Sequence, residues 1–433
     1  VIRRALALAL AAGAVACATP RHDEIARAPT ERYEGVPIVI PTVVCGPELA
    51  EPTLDVEPPK PCAAAKAEPH HFQFLEDTCG IKRWPRDEDR EYACASVATT
   101  TSMTLTDGRV VEYQPPGETP KYDPALAGIV PDDVDLAVIL IRRVGGVPHY
   151  RYVSNGTHEA TFQTWSASKF LAIANAGAHL REESGGAIGL DGTVDGVPVG
   201  DLISIVHTYD EHYYTSNALS KWFHDVGGRK RINEALHGWL GRPEGESLGG
   251  DYGAGLVNLS YRFRSRGREI AIARDWSGRF ENRVSAHTLA EGLKRLALHR
   301  EDEVGRMPHL EWVDVRTLFY GAEKSRWFPE QPGGMSADKS VYIQLGADLE
   351  TLAARAKERW RIFSQSGQGN AQYVHTGYAC FPSLDDAGDP IADEGREFVI
   401  AARLSGPSGY VGNDRRMARA YRAIVSRIIE GRI

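Results

Sequence analysis

No basic tract, no internal repeat and no apolar run long enough to span a bilayer as a stable helix occurs in these 433 residues. The first absence argues against nucleic acid as a partner. The balance of 50 Lys and Arg against 58 Asp and Glu, a formal net charge of −8, argues the same way. Cysteine is scarce, at six residues. Cys45, Cys62, Cys79 and Cys94 do not have the spacing of a zinc site, so no metal and no cofactor are expected. What is present is a hydrophobic content of 42%, which suits a globular chain with room for more than one structural unit.

The chain opens Val1-Ile2-Arg3-Arg4 and then holds only Ala, Leu, Gly and Val from Ala5 to Ala16. Two arginines, a short apolar stretch and small residues before Cys17 read as a secretory signal over residues 1–17. Ala14-Val15-Ala16-Cys17 also has the form of a lipobox, with Cys17 lipidated; the plainer alternative is a signal peptide that happens to contain a cysteine. The expectation is an exported protein, lipid-anchored in a bacterial cell envelope and monomeric. In an oxidising compartment the four early cysteines can form two disulfides, in several pairings, while Cys380 reads as a buried free thiol.

Residues 18–98 are rich in Pro, Ala, Glu and Asp, as in Pro58-Pro59-Lys60-Pro61, and read as a tether with a region that disulfides can staple. Residues 99–132 read as a small β segment or lead-in, with Asp107-Gly108 as a turn. From residue 133 to 433 a compact domain is expected. Leu136–Ile141 is a buried-strand run that Gly145-Gly146 turns into a hairpin ending at Val153. Helical spacing follows at Ser166–Glu182, Ala218–Val226, Lys230–Trp239, Ala286–Leu298 (N-capped by Ser285) and Leu349–Arg359. Strands return at Trp360–Ser364, Tyr373–Phe381 and Glu397–Leu404, before a final amphipathic helix at Asp414–Ile429. This order predicts an α+β fold: an antiparallel sheet with flanking helices and an all-helical subdomain inserted over about 166–358.

The candidate chemistry begins at Ser166-Ala167-Ser168-Lys169. A serine hydroxyl is a poor nucleophile without a neighbouring base, and a lysine three residues on lies on the same helix face. A lysine that is partly desolvated, or crowded by other cations, can accept the serine proton. About fifty residues later comes Thr215-Ser216-Asn217, a hydroxyl followed by an amide, suited to relaying a proton and holding a carbonyl; a helix N-cap is its structural alternative. His70, His71, His207 and His212 suggest metal at first sight, but no third ligand follows at suitable spacing, so surface or loop positions are expected. The Arg262, Arg264, Arg266 and Arg268 run reads as a solvated face.

The ordered set resembles the penicillin-recognising serine enzymes, which carry S-x-x-K, then S-D-N opening a helix that ends in Gly-Gly, then K-T-G on a strand. The resemblance runs from about Asp133 to the C-terminus, with Val226-Gly227-Gly228 closing the second element. It implies a β-lactamase/transpeptidase-like fold, Ser166 as nucleophile, Lys169 as its base, and Thr215 with Asn217 as relay and clamp. It also implies an oxyanion hole from the Ser166 N–H and a strand N–H. The third element has two candidates, Gln365-Ser366-Gly367 and His375-Thr376-Gly377. The first is preferred because it leaves two strands and a helix after it, although glutamine is neutral where the family has lysine. The family's E-x-x-L-N setting for a water-activating glutamate is missing. Glu244, Glu246, Asp251 and Glu269 are present, but Gly253 stands three residues before Leu256-Val257-Asn258. The resemblance therefore implies a peptidoglycan stem-peptide or β-lactam acyl donor with slow deacylation. Its alternatives are a scaffold that lost turnover and a true β-lactamase.

Overall fold

The computed structural model describes residues 30–33, 36–39, 94–95, 97–208, 214–242, 245–255, 257–327, 334–335, 359–369, 371–384, 390–406 and 409–433. Cys17, Cys45, Cys62, Cys79, His70, His71, His212, Glu244, Leu256 and the helix expected at Leu349–Arg359 (Arg359 apart) lie outside the described residues. The elements that build the site are, in chain order, β1 Val134–Val144, β2 Val147–Val153, β3 Thr161–Gln163, α1 Lys169–Glu183, α2 Val199–Thr208, α3 Ser216–Gly227, α4 Arg229–Gly238, β4 Asn282–Ser285, α5 Ala286–Ala297, α6 Trp312–Tyr320, β5 Arg361–Gly369, β6 Gln372–Leu384, β7 Pro390–Ser405 and α7 Gly409–Ile429.

The central sheet has the order β5-β6-β7-β1-β2, antiparallel throughout, with Tyr122–Asp123 added in parallel beyond β2 and Val97–Ala98 in parallel beside β1. The apolar run in β1 does not alternate in hydrophobicity because both of its faces are buried. Ala137, Ile139 and Ile141 enter one core with α1, while Leu136, Val138 and Leu140 enter a second core with α7. Gly145 and Gly146, both at positive φ, supply the tight turn that returns the chain into β2. On the far face, α7 buries Met417, Ala420, Tyr421, Ile424, Val425 and Ile428, a single helical stripe. On the near face, α1 runs through the helical subdomain, buried over most of its surface. Gly177 is needed there, since a Cβ would come within 2.8 Å of Leu190. The fold is α+β, an antiparallel sheet flanked by helices, with helices inserted between β3 and β5.

Two helices, α2 and α6, form where no helix is predicted, and α5, N-capped by the Ser285 hydroxyl, lies against the sheet. Among the described residues no helix is long and apolar enough to cross a membrane. Cys380 is not a free thiol: it is bonded to Cys94, 286 residues away. Spacing could not disclose this pair, because the sheet joins the lead-in to β6 only in three dimensions. His207 is likewise buried on α2 rather than exposed.

Charged side chains are also sealed between sheet and helices. Glu397 takes both Arg143 Nε and Nη2 at 2.8 Å, and Glu291 accepts from Lys294 Nζ at 2.8 Å and Arg295 Nε at 2.7 Å. Burial pushes the Glu291 carboxyl up, but Lys294 and Arg295 outweigh it and hold it at about 2. Burial holds the His287 imidazole down at about 4.

Two predictions follow from these buried groups. The double variant Cys94→Ser, Cys380→Ser loses about 2–5 kcal/mol of stability, read as a lower urea midpoint than the oxidised parent. Separately, the folded state leaves His287 neutral while the unfolded chain protonates it below its ordinary value of 6.5. Glu291 stabilises above its ordinary value of 4.5, and this is lost as pH falls towards about 2. The urea midpoint therefore drops as pH falls from 6.5 to 3, and His287→Gln makes the part of that drop between 6.5 and 4 shallower.

Candidate active site

Thr164-Trp165-Ser166-Ala167-Ser168-Lys169 enters α1 through a 3-10 turn at Trp165–Ser168. Trp165, immediately before the candidate nucleophile, has φ of 51°. Such a conformation costs a bulky residue roughly 1–3 kcal/mol and persists only where its surroundings impose it. Here they do. Thr164 N–H and Oγ1–H both donate to the Asn282 carbonyl, at 2.8 and 3.2 Å. The Thr164 and Ser168 hydroxyls share a 2.7 Å hydrogen bond, and Trp165 Nε1 donates to Gln372 Oε1 at 3.3 Å.

Lys169 is fully buried. Its Nζ donates to Ser216 Oγ at 2.8 Å and to Asn217 Oδ1 at 2.7 Å, and lies 5.3 Å from the centre of the Tyr252 ring. Ser216 Oγ in turn donates its proton to the Val206 carbonyl at 2.7 Å, so the lone pair it turns to the lysine ties α2, α3 and α1 together. Thr215, expected as the relay, is instead exposed and caps α3, its Oγ1 accepting from Ala218 N–H at 3.2 Å. The reason is local: a threonine with extended backbone before a helix satisfies an orphan N–H there. The motif's first hydroxyl is used by the helix end, and its second meets the lysine. Among the described residues Asn217 makes no other side-chain hydrogen bond. Ser166 is half-buried and its Oγ is not hydrogen-bonded to Lys169. Proton transfer between them needs a water or a small rotation, as is common in unliganded sites.

Of the two candidate third elements, Gln365-Ser366-Gly367 on β5 is the one beside Ser166. A Cβ on Gly367 would lie 2.6 Å from the Ser166 N, and one on Gly369 would strike the Trp165 ring. Both glycines let the strand backbone approach the turn, as a second oxyanion donor requires. His375-Thr376-Gly377 lies one strand further in. His375 faces α7, where its Nδ1 meets the Tyr421 hydroxyl, while Thr376 pairs in register with Gln365. Ser366, paired in register with His375, is buried on the same α7-side face of the sheet and accepts from Tyr373 OH at 3.4 Å. Gln365 offers no charge: it is buried, its Oε1 accepts from His207 Nδ1–H, and its Nε2 donates to the Ser366 carbonyl at 3.3 Å.

Of the carboxylates named as candidate water-activating bases, Glu246, Asp251 and Glu269 are described, and each has partners outside the Ser166 turn. Glu246 is buried against Arg242 and Thr288, and Glu269 pairs with Arg262 and Arg264 on an exposed hairpin. Asp251 is exposed and accepts from Gly253 N–H at 3.0 Å. Among the described residues no group of three or more His, Cys, Asp or Glu side chains could hold a metal ion. Sequence reasoning missed Ser216, Tyr252 and the His207–Gln365 link. Only Ser216 left a signal: it is the residue inside a helix start whose cap is already supplied by Thr215.

These contacts separate the two hydroxyls experimentally. Thr215→Ala costs about 1 kcal/mol of stability, a lost N-cap, and alters acylation of Ser166 little. Ser216→Ala slows that acylation by about tenfold or more, measured as the rate of covalent adduct formation by intact mass.

No protein-family model matches this chain, and no curated protein matches it. Solved structures do. A β-lactamase from Sphaerobacter thermophilus is 13% identical over 69% of this chain and 91% of its own, with a TM-score of 0.37. PBP-A is 12% identical over 72% of this chain and 98% of its own, with a TM-score of 0.36. A β-lactamase from Burkholderia ambifaria is 13% identical over 68% and 94%, with a TM-score of 0.35. At these TM-scores the likeness carries no argument about chemistry, which rests on the side chains of the site.

Proposed function

We propose that this chain is a serine acyl-transfer enzyme of the penicillin-recognising kind, exported and lipid-anchored through Cys17. It would act on a peptidoglycan stem peptide or a β-lactam. The observation that carries the reading is the buried Lys169 Nζ, one turn after Ser166 and clasped by Ser216 Oγ and Asn217 Oδ1. Acylation would proceed by attack of Ser166 Oγ on the acyl carbonyl, with its proton passing to Lys169 in the neutral form. The amine or alcohol leaving group would take that proton back through Ser216. Developing charge on the carbonyl oxygen would be met by the Ser166 N–H and a backbone N–H of β5. Asn217 would hold the carbonyl next to the scissile one.

A second reading, a scaffold with the fold but no turnover, is favoured by one observation: Ser166 Oγ is not hydrogen-bonded to Lys169, whose Nζ is turned to α3. Incubation with a fluorescent penicillin and with a nitrophenyl acyl ester, read by intact mass, tests the two. A stoichiometric adduct in the parent that disappears in Ser166→Ala establishes the enzyme. Absence of an adduct from both donors establishes the scaffold.

A further inference from the structure

The residues between α4 and β4 end in a loop that is fastened at several points, and Tyr252 is the side chain it brings to the lysine. Asn282 brackets the loop, its Oδ1 accepting from Gly250 N–H at 2.8 Å and its Nδ2 donating to the Asp251 carbonyl at 3.2 Å. The same residue's carbonyl holds Thr164, so loop and nucleophile turn share one anchor. Gly250, at φ of 72°, passes so close to His224 that a Cβ would lie 2.7 Å from its ring. Further along, buried Asp225 on α3 takes Arg274 at 3.1 Å and Arg279 at 2.8 Å, with Arg229 at 2.6 Å completing the cluster. Tyr252 itself is half-buried, and its hydroxyl lies 3.3 Å from His224 Nε2.

We propose that Tyr252 is a positioning residue whose ring walls Lys169 from bulk water and so lengthens the life of an acyl group on Ser166. This inference rests on the acyl-transfer reading above. Its ground is the pairing of a fully buried Lys169 Nζ with a half-exposed aromatic ring whose centre lies 5.3 Å from it, within the range of a cation–π contact when the amine is protonated. His224 fixes the ring and does not compete for protons, because burial, with Arg229 nearby, holds its imidazole at about 3. Hydrolysis of the acyl-enzyme adds a water oxygen to the ester carbonyl and breaks the bond from that carbon to Ser166 Oγ. One proton passes from the water to the neutral Lys169 amine and from there to Ser166 Oγ. A wall over the amine keeps that water out while leaving the first step, in which the proton comes from Ser166 itself, intact.

The test is a chase of the fluorescent-penicillin adduct on the full chain, with the surviving adduct followed by intact mass. Tyr252→Ala is expected to shorten the adduct's half-life by about tenfold or more, and Tyr252→Phe, which keeps the ring, to preserve it within about twofold. A faster step is the signature, since general loss of structure would slow or abolish the reaction; melting curves of both variants accompany the chase. An unchanged or lengthened half-life in Tyr252→Ala overturns the proposal. So does a half-life in Tyr252→Phe as short as in Tyr252→Ala, which would assign the effect to the hydroxyl. A parent that forms no Ser166-dependent adduct overturns the acyl-transfer reading and this inference with it.

Discussion

The amino group of Lys169, a charge when protonated and sealed inside the protein, is the constraint around which the helical subdomain is arranged. Taking such a charge out of water costs several kcal/mol. A hydrogen bond to a charged group returns about 1.5–3 kcal/mol, so the site needs more than one. The start of α3 supplies two at once, because consecutive residues Ser216 and Asn217 both turn an oxygen to Nζ. That geometry requires α3 to begin at Thr215, and the threonine cap is what makes it begin there. It requires α2 to lie alongside, since the Val206 carbonyl takes the Ser216 proton. The centre of the Tyr252 ring lies 5.3 Å from Nζ.

The sheet enters the site through backbone rather than through side-chain charge. β5 touches the turn that carries Ser166 at two glycines, and any side chain at either would strike Ser166 or Trp165. The raised φ of Trp165 belongs to the same contact, since Thr164 on one side and the strand on the other leave the turn little freedom. Gln365, engaged by His207, brings no charge to this wall.

Buried polar groups elsewhere secure this frame. Glu397 with Arg143 and Arg361 joins β7, β1 and β5 across the sheet, and Glu291 with Lys294 and Arg295 lies between α5 and the strands. Buried ion pairs of this kind add less net stability than their contacts suggest, but an unpaired member would be costly. The α5 cluster meets the sheet at the Tyr152 hydroxyl, which donates to Glu291 at 3.3 Å and accepts from Lys294 Nζ at 3.0 Å. The disulfide from Cys94 to Cys380 fastens the lead-in to the same sheet.

Sequence by itself determined the elements whose signal is local. The unbroken apolar run of β1, the stripe in α7, the Gly145-Gly146 turn and the Ser285 cap each follow from neighbours within a few residues, and all are present. The order of Ser166, Lys169, Asn217 and the β5 element was legible in the same way. Tertiary structure alone decided which hydroxyl of Thr215-Ser216 faces the lysine, which glycine meets Ser166, and that Cys380 has a partner 286 residues away. Helix α2 escaped notice because its surroundings bury it almost completely. Tyr252 did too, because an aromatic in a glycine-rich loop shows no period. The difference has one physical reason: a side chain's conformation is set by the chain it belongs to, but its partner is set by whatever the fold packs against it.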